Sequence, residues 1–178
     1  MKQYFSFQWH ITDECDQRCK HCYIFSENNS KKLDSMSWNQ MQGVVRSCCE
    51  MCEQYDRLPY FYITGGDPIL HQDFWKLMDL LKTKKIPFTI MGNPFHLSAE
   101  VCQSLKDYGC QKYQLSLDGM QQTHDWFRKP GSFSQTLEKI ACIRNAGIRS
   151  VIMTTVSGAN IKEIPDIIDT VVAHDVDI

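Results

Sequence analysis

"YFYITGGDPILHQDFWKLMDLLKTKKIPFTIMG", from Tyr60 to Gly92, decides the fold. Its first five residues make a short apolar strand. Phe74, Leu77, Met78 and Leu81 then recur at i, i+3, i+4 and i+7, which sets four apolar side chains on one stripe of a helix. "PFTIMG" is the next strand. A helix-length link between two strands returns the second parallel to the first, by a right-handed crossover.

The same alternation extends in both directions. Upstream lie an apolar run from Tyr4 to Ile11 and an amphipathic segment from about Trp38 to Tyr55, with Met41, Val44, Val45, Cys48 and Cys52 on one face. Downstream, "VCQSLKDYG" is a helix that Gly109 ends, and "KYQLSLDG" is a strand whose last residues turn polar. Ser132 to Ala146 is a helix closed by Gly147, and "RSVIMTTV" is a fifth strand. The helix from Ile161 to about His174 takes Pro165 in its first turn, or starts only there. The closing "VDI" reads as the opening of a sixth strand. This is an α/β chain with a parallel sheet, either doubly wound or a full or partial barrel. A strand at an open terminus wants a neighbour, so residues 1–178 are expected to be the front part of a longer protein, without an internal domain boundary.

In such folds chemistry belongs in the loops after the C-terminal ends of strands. Three unusual segments fall there: "CDQRCKHC" (Cys15–Cys22) after the first strand, "GGDP" (Gly65–Pro68) after the second, and "SLDG" (Ser116–Gly119) after the fourth.

The 178 residues are 43% hydrophobic and 22% charged, with a formal net charge of -2. That describes one ordinary globule with no overall field to recruit nucleic acid or an anionic membrane. No apolar run reaches the roughly 18 residues of a membrane-spanning helix. The N-terminus is too short and polar for a secretory signal. Nine cysteines accompany apolar periodicity strong enough to build a core unaided, which favours thiols in reducing cytoplasm over a disulfide scaffold.

The spacing of Cys15, Cys19 and Cys22 is C-x3-C-x2-C. Three thiolates are one short of a closed zinc site, which His10 or His21 could complete. They suffice for a four-iron cubane with one iron left free for a small molecule. Unliganded cysteines are the third reading. Arg18 and Lys20 favour thiolates and an anionic cluster. In "CCEMC", Cys48 and Cys52 lie one turn apart on a helix and read as core, as do Cys102 and Cys142, while Cys110 has no visible partner. Gly65 and Gly66 let backbone approach a ligand, and Asp67 can accept from an ammonium group; the alternative is a plain turn. Ser116 and Asp118 alternate with leucines and point to one face, as a hydroxyl and carboxylate pair for a ligand or as a turn cap. His124, Asp125 and Arg128 read as local salt bridging or a helix cap.

The ordered combination of the cysteine trio, "GGDP" and "LSLDG" resembles the radical S-adenosylmethionine (SAM) superfamily, across essentially the whole chain. The resemblance implies a partial (β/α)6 barrel, of which five units are present and a sixth strand begins. It implies a [4Fe-4S] cluster on Cys15, Cys19 and Cys22 whose free iron is chelated by SAM, and reductive cleavage of SAM to a 5'-deoxyadenosyl radical that takes hydrogen from a substrate. It puts His21 near adenine, Gly65, Gly66 and Asp67 near the SAM amino group, and Ser116 and Asp118 near its carboxylate or ribose. Asp67 departs from the family's usual glutamate. Thr154, Thr155, Val156 and Asn160 approach the adenosine. "LSLDG", "HDWFRKPGSF" and "GI…TTVSGAN" are similar to the peptide-modifying branch with a C-terminal SPASM or twitch extension. That branch implies a short precursor peptide or protein as substrate, and an electron donor such as flavodoxin or ferredoxin. A small-molecule or RNA substrate, or a zinc-stabilised interaction module, are the competing expectations.

Overall fold

Phe61 and Ile63 are fully buried, whereas Tyr60, Tyr62 and Thr64 keep partial exposure. This period of two makes β2 (Leu58–Thr64), one face of which enters the core. The computed structural model describes residues 2–25 and 34–178, so part of "SENNSKKLDSMS" lies outside the described residues. The other strands are β1 (Tyr4–His10), β3 (Phe88–Met91), β4 (Cys110–Ser116) and β5 (Arg149–Met153). All pair in parallel, in the order β1-β2-β3-β4-β5. Sequence order equals spatial order, as a partial barrel requires. The expected sixth strand is visible as backbone pairing: Ile152 donates to the Ile178 carbonyl at 2.9 Å, and Ile178 donates to that of Ser150 at 3.2 Å.

Helices α1 (Trp38–Gln54), α2 (Phe74–Thr83), α3 (Ala99–Tyr108), α5 (Ser132–Asn145) and α6 (Ile164–Ala173) connect the strands. Their starts and stops follow local chemistry. Ser37 and Gln40 form a reciprocal capping box on α1. Ser98 caps α3, and Gly109 ends it at φ +101°, where a side chain would be strained. Pro165 does shift the start of α6, which a 3-10 turn over Ile161–Glu163 precedes. The short helix α4 (Gln121–Phe127) is new, because seven residues carry too little periodicity to announce it.

The stripe Phe74, Leu77, Met78 and Leu81 is fully buried, and with Phe61, Phe88, Ile90 and Tyr113 it fills the layer between sheet and helices. At about 25 cal/mol per Å2 of apolar surface, each such side chain supplies roughly 2 kcal/mol. Cys52, Cys102 and Cys110 are buried there, and Cys48, Cys49 and Cys142 are half-buried. The opposite face of the sheet is concave. It carries Tyr4, Tyr60 and Tyr62, whose rings touch in sequence.

Candidate active site

The loop after β1 is held against the tip of β2 by backbone alone. Gly66 donates to the Thr12 carbonyl at 2.8 Å and Asp67 to that of Glu14 at 2.7 Å. A Cβ on Gly65 would stand 2.3 Å from the Thr12 oxygen, and one on Gly66 would stand 2.2 Å from that of Glu14. The two glycines therefore let the cysteine loop lie on the strand tip, a closer and more local need than the ligand approach that their pairing suggests. Gly65, at φ +152°, also has a backbone that favours glycine.

This docking brings Cys15, Cys19 and Cys22 to one cleft of about 350 Å3, with His21, Gly65, Gly66 and Ser116 also on its wall. Asn93 Nδ2 donates to the Cys15 sulfur at 3.1 Å, and Arg128 Nη1 lies 3.8 Å from that of Cys19. Burial pushes the Cys19 thiol up to about 11 and Arg128 opposes the shift. Burial thus holds the protons on the Cys15 and Cys19 thiols until a positive centre displaces them, with Asn93 and Arg128 already aimed at the sulfurs. Gln17 is buried with Nε2 unpartnered and lines the same cleft.

The two carboxylates sit elsewhere. Asp67 is fully buried behind the loop, and neither oxygen has a hydrogen-bond partner. Burial pushes it up to about 7, tempered by the nearby backbone of Asn93 and Ile69. Asp16 and His96 stand beside it, with ligand atoms of all three residues within 4.8 Å of one another. Asp118 lies under the wall as a hub. Its Oδ2 accepts from Arg128 Nε at 2.6 Å, its Oδ1 from the Thr155 amide at 2.8 Å, and its carbonyl from Asn160 Nδ2 at 2.8 Å. Its own amide donates to His124 Nδ1 at 3.0 Å. His21 Nε2 lies 3.5 Å from Asp118 Oδ2, and its ring sits edge-on against Phe127. The strand ends at Ser116, so the alternation that would set Asp118 on the face of Ser116 stops two residues short of it.

Asn93, Gln114 and Arg128 reach the cleft without having been singled out for it. Gln114 was accessible from the period of two, because it sits two residues before Ser116. Arg128 pairs with Asp118 and not, as expected, within the His124–Arg128 segment, and the same guanidinium also faces Cys19. Asn93 carries no sequence signal beyond following a strand. Thr155 lines the cleft, whereas Asn160 is buried and bonds the Thr155 carbonyl at 2.8 Å.

Matching by sequence, the Radical SAM superfamily covers residues 9–171. The chain belongs to the radical SAM superfamily. Its members use a [4Fe-4S] cluster with SAM, and membership places this chain in a superfamily of enzymes. An AdoMet-dependent heme synthase from Nitratidesulfovibrio vulgaris is 29% identical over 161 residues, 89% of this chain and 42% of that protein. Mycofactocin maturase MftC from Mycobacterium ulcerans is 26% identical over 162 residues, again 89% and 42%. The structure of Streptococcus suis SuiB bound to precursor peptide SuiA superposes at TM-score 0.76 with 16% identity, covering 99% of this chain and 38% of that one. The chain thus spans less than half the length of these relatives. Its residues fit the radical SAM cofactors. Sulfur is the donor set iron–sulfur clusters use, and among the described residues the one His, Cys, Asp and Glu trio gathered within 4.8 Å is Asp16, Asp67 and His96, which includes none of the three sulfurs.

Proposed function

We propose that this chain is the catalytic core of a radical SAM enzyme acting on a ribosomally made peptide or protein in the cytoplasm, of the branch with a C-terminal SPASM or twitch extension. Cys15, Cys19 and Cys22 would hold the cluster, and Gly65, Gly66, Ser116 and His21 would face SAM. When bound, the pair supplies one-electron cleavage of SAM and hydrogen abstraction from the substrate. Asp118 orients Arg128 and the Thr155 amide toward the cleft, and Asp67 acts from behind the loop. Tyr23 and Phe25 on the rim help to exclude water. A flavodoxin or ferredoxin would deliver the electron.

The observation that carries the peptide reading is the open edge of the sheet. Beyond the isolated Thr12–Ser35 bridge, the outer edge of β1 has no strand partner among the described residues. An extended chain can therefore reach the cleft from the side without threading a closed barrel. The likeness to the heme synthase favours a second reading, a tetrapyrrole substrate. Anaerobic co-expression of the full-length protein with any short peptide encoded beside its gene tests the first. A defined mass change on that peptide, absent with Cys19→Ser, supports it; an unmodified peptide from a strain whose enzyme cleaves SAM contradicts it.

A further inference from the structure

Gln8, Tyr62, Thr89, Lys112 and Arg149 are successive register partners across all five strands. A register shift after Phe88 skips Gln111 and brings Lys112 opposite Thr89. The row lies on the concave face, where the Tyr60 hydroxyl meets Thr89 Oγ1 at 2.8 Å. Two residues further along the strands, about 7 Å, stand Met91 and Gln114, which line the cysteine cleft. Lys112 and Arg149 therefore lie on the same sheet face, below the cleft, and Arg149 also borders a second cavity with Arg144 and Asp177.

The two cations face each other directly on neighbouring strands, an arrangement that repels unless an anion lies between them. Among the described residues neither makes an ion pair with an acid. Asp177 feels the charge of Arg149, but its carboxylate is engaged by the Ser150 amide and hydroxyl at 2.8 and 2.9 Å. The Tyr60 phenol also lies within the field of Arg149 and adds an aromatic wall.

We propose that Lys112 and Arg149 are a carboxylate-recognition subsite that holds the far end of the substrate while its reacting carbon sits at the strand tips. A guanidinium grips a carboxylate by two hydrogen bonds, and an ammonium adds a point charge. Ser116 lies four residues up β4 from Lys112, about 13 Å. The substrate that uses both ends is elongated and acidic: a peptide with Asp or Glu, or a tetrapyrrole with carboxylate arms. The inference rests on the reading of this cleft as the substrate site.

The test measures binding to the full protein of two probes, a fluorescein-labelled Gly-Glu-Tyr-Glu-Gly peptide and coproporphyrin III, with the Gln version of the peptide as control. Wild type binds at least one acidic probe, and Lys112→Gln/Arg149→Gln weakens that binding at least about tenfold, as does raising the salt. The Gln peptide does not distinguish the two proteins. Peptide binding alone identifies a peptide source, and porphyrin binding alone a tetrapyrrole. Binding that the double substitution leaves unchanged, or no binding of either probe, overturns the subsite. SAM cleavage without substrate is measured in parallel on the reconstituted proteins. Its absence in wild type brings down the reading of the cleft, whereas equal cleavage with no carboxylate effect brings down the subsite alone.

Discussion

Asp118 has the densest set of partners around the cleft, and losing it should be felt in both stability and the site. Asp118→Ala leaves Arg128 part-buried without its carboxylate and frees the Thr155 amide. Breaking a buried pair in this way costs about 3 kcal/mol, to be read as a lower urea midpoint with an unchanged slope. His124 gives a second prediction. Burial, reinforced by Arg128, pushes its imidazole down to about 4 from an ordinary 6.5. As pH falls through that window the unfolded chain takes up the proton first, so the contribution is full above 6.5 and declines toward 4. Asp67, raised to about 7, works in the opposite sense, since its buried charge disfavours the fold as pH rises. The comparison that isolates His124 is therefore cluster-free wild type against His124→Asn. Between pH 7 and 5 wild type should lose about 2 kcal/mol more than the variant; parallel pH profiles would contradict the assignment. At this scale the sequence was informative about residue type and weak about direction. Ser116 and His21 reach the cleft wall, while Asp67 and Asp118 turn away from it, because the chain leaves the strand and no longer alternates.

The elements show where spacing is a sufficient guide. The α2 stripe is buried at each of its four apolar positions, and "CCEMC" lies in α1, away from the cleft. Cys19→Ser should therefore abolish iron incorporation while Cys49→Ser leaves it largely intact, as measured by iron content and absorbance near 400 nm. Equal loss from both would show that the helix cysteines serve the cluster. Two glycines give opposite expectations. Gly43 lies inside α1 with nothing within 4 Å of a Cβ, so Gly43→Ala should raise stability by about 0.5–1 kcal/mol. Gly66→Ala meets the Glu14 carbonyl and should lift the cysteine loop off β2, lowering iron uptake more than it lowers the far-UV helix signal. What spacing could not reveal was α4, too short for periodicity, and the backbone-to-backbone docking of the loop, which leaves no side-chain pattern.

Over the whole molecule, alternation of strand and helix was legible because each helix buries one stripe on one sheet face. The concave face was less so, since its residues are neither uniformly polar nor apolar, and only the register puts Tyr62, Thr89, Lys112 and Arg149 in one row. Three thiols at one strand end, an open cleft above a parallel sheet and a polar floor beneath make a coherent radical SAM core. The most direct measurement is anaerobic reconstitution of this chain with iron and sulfide, followed by dithionite and SAM, with chromatographic detection of 5'-deoxyadenosine. About four irons per chain and 5'-deoxyadenosine formation that Cys15→Ser, Cys19→Ser or Cys22→Ser each eliminates are the expected outcome. A colourless protein carrying stoichiometric zinc, or an intact four-iron cluster on which SAM stays uncleaved, would contradict it.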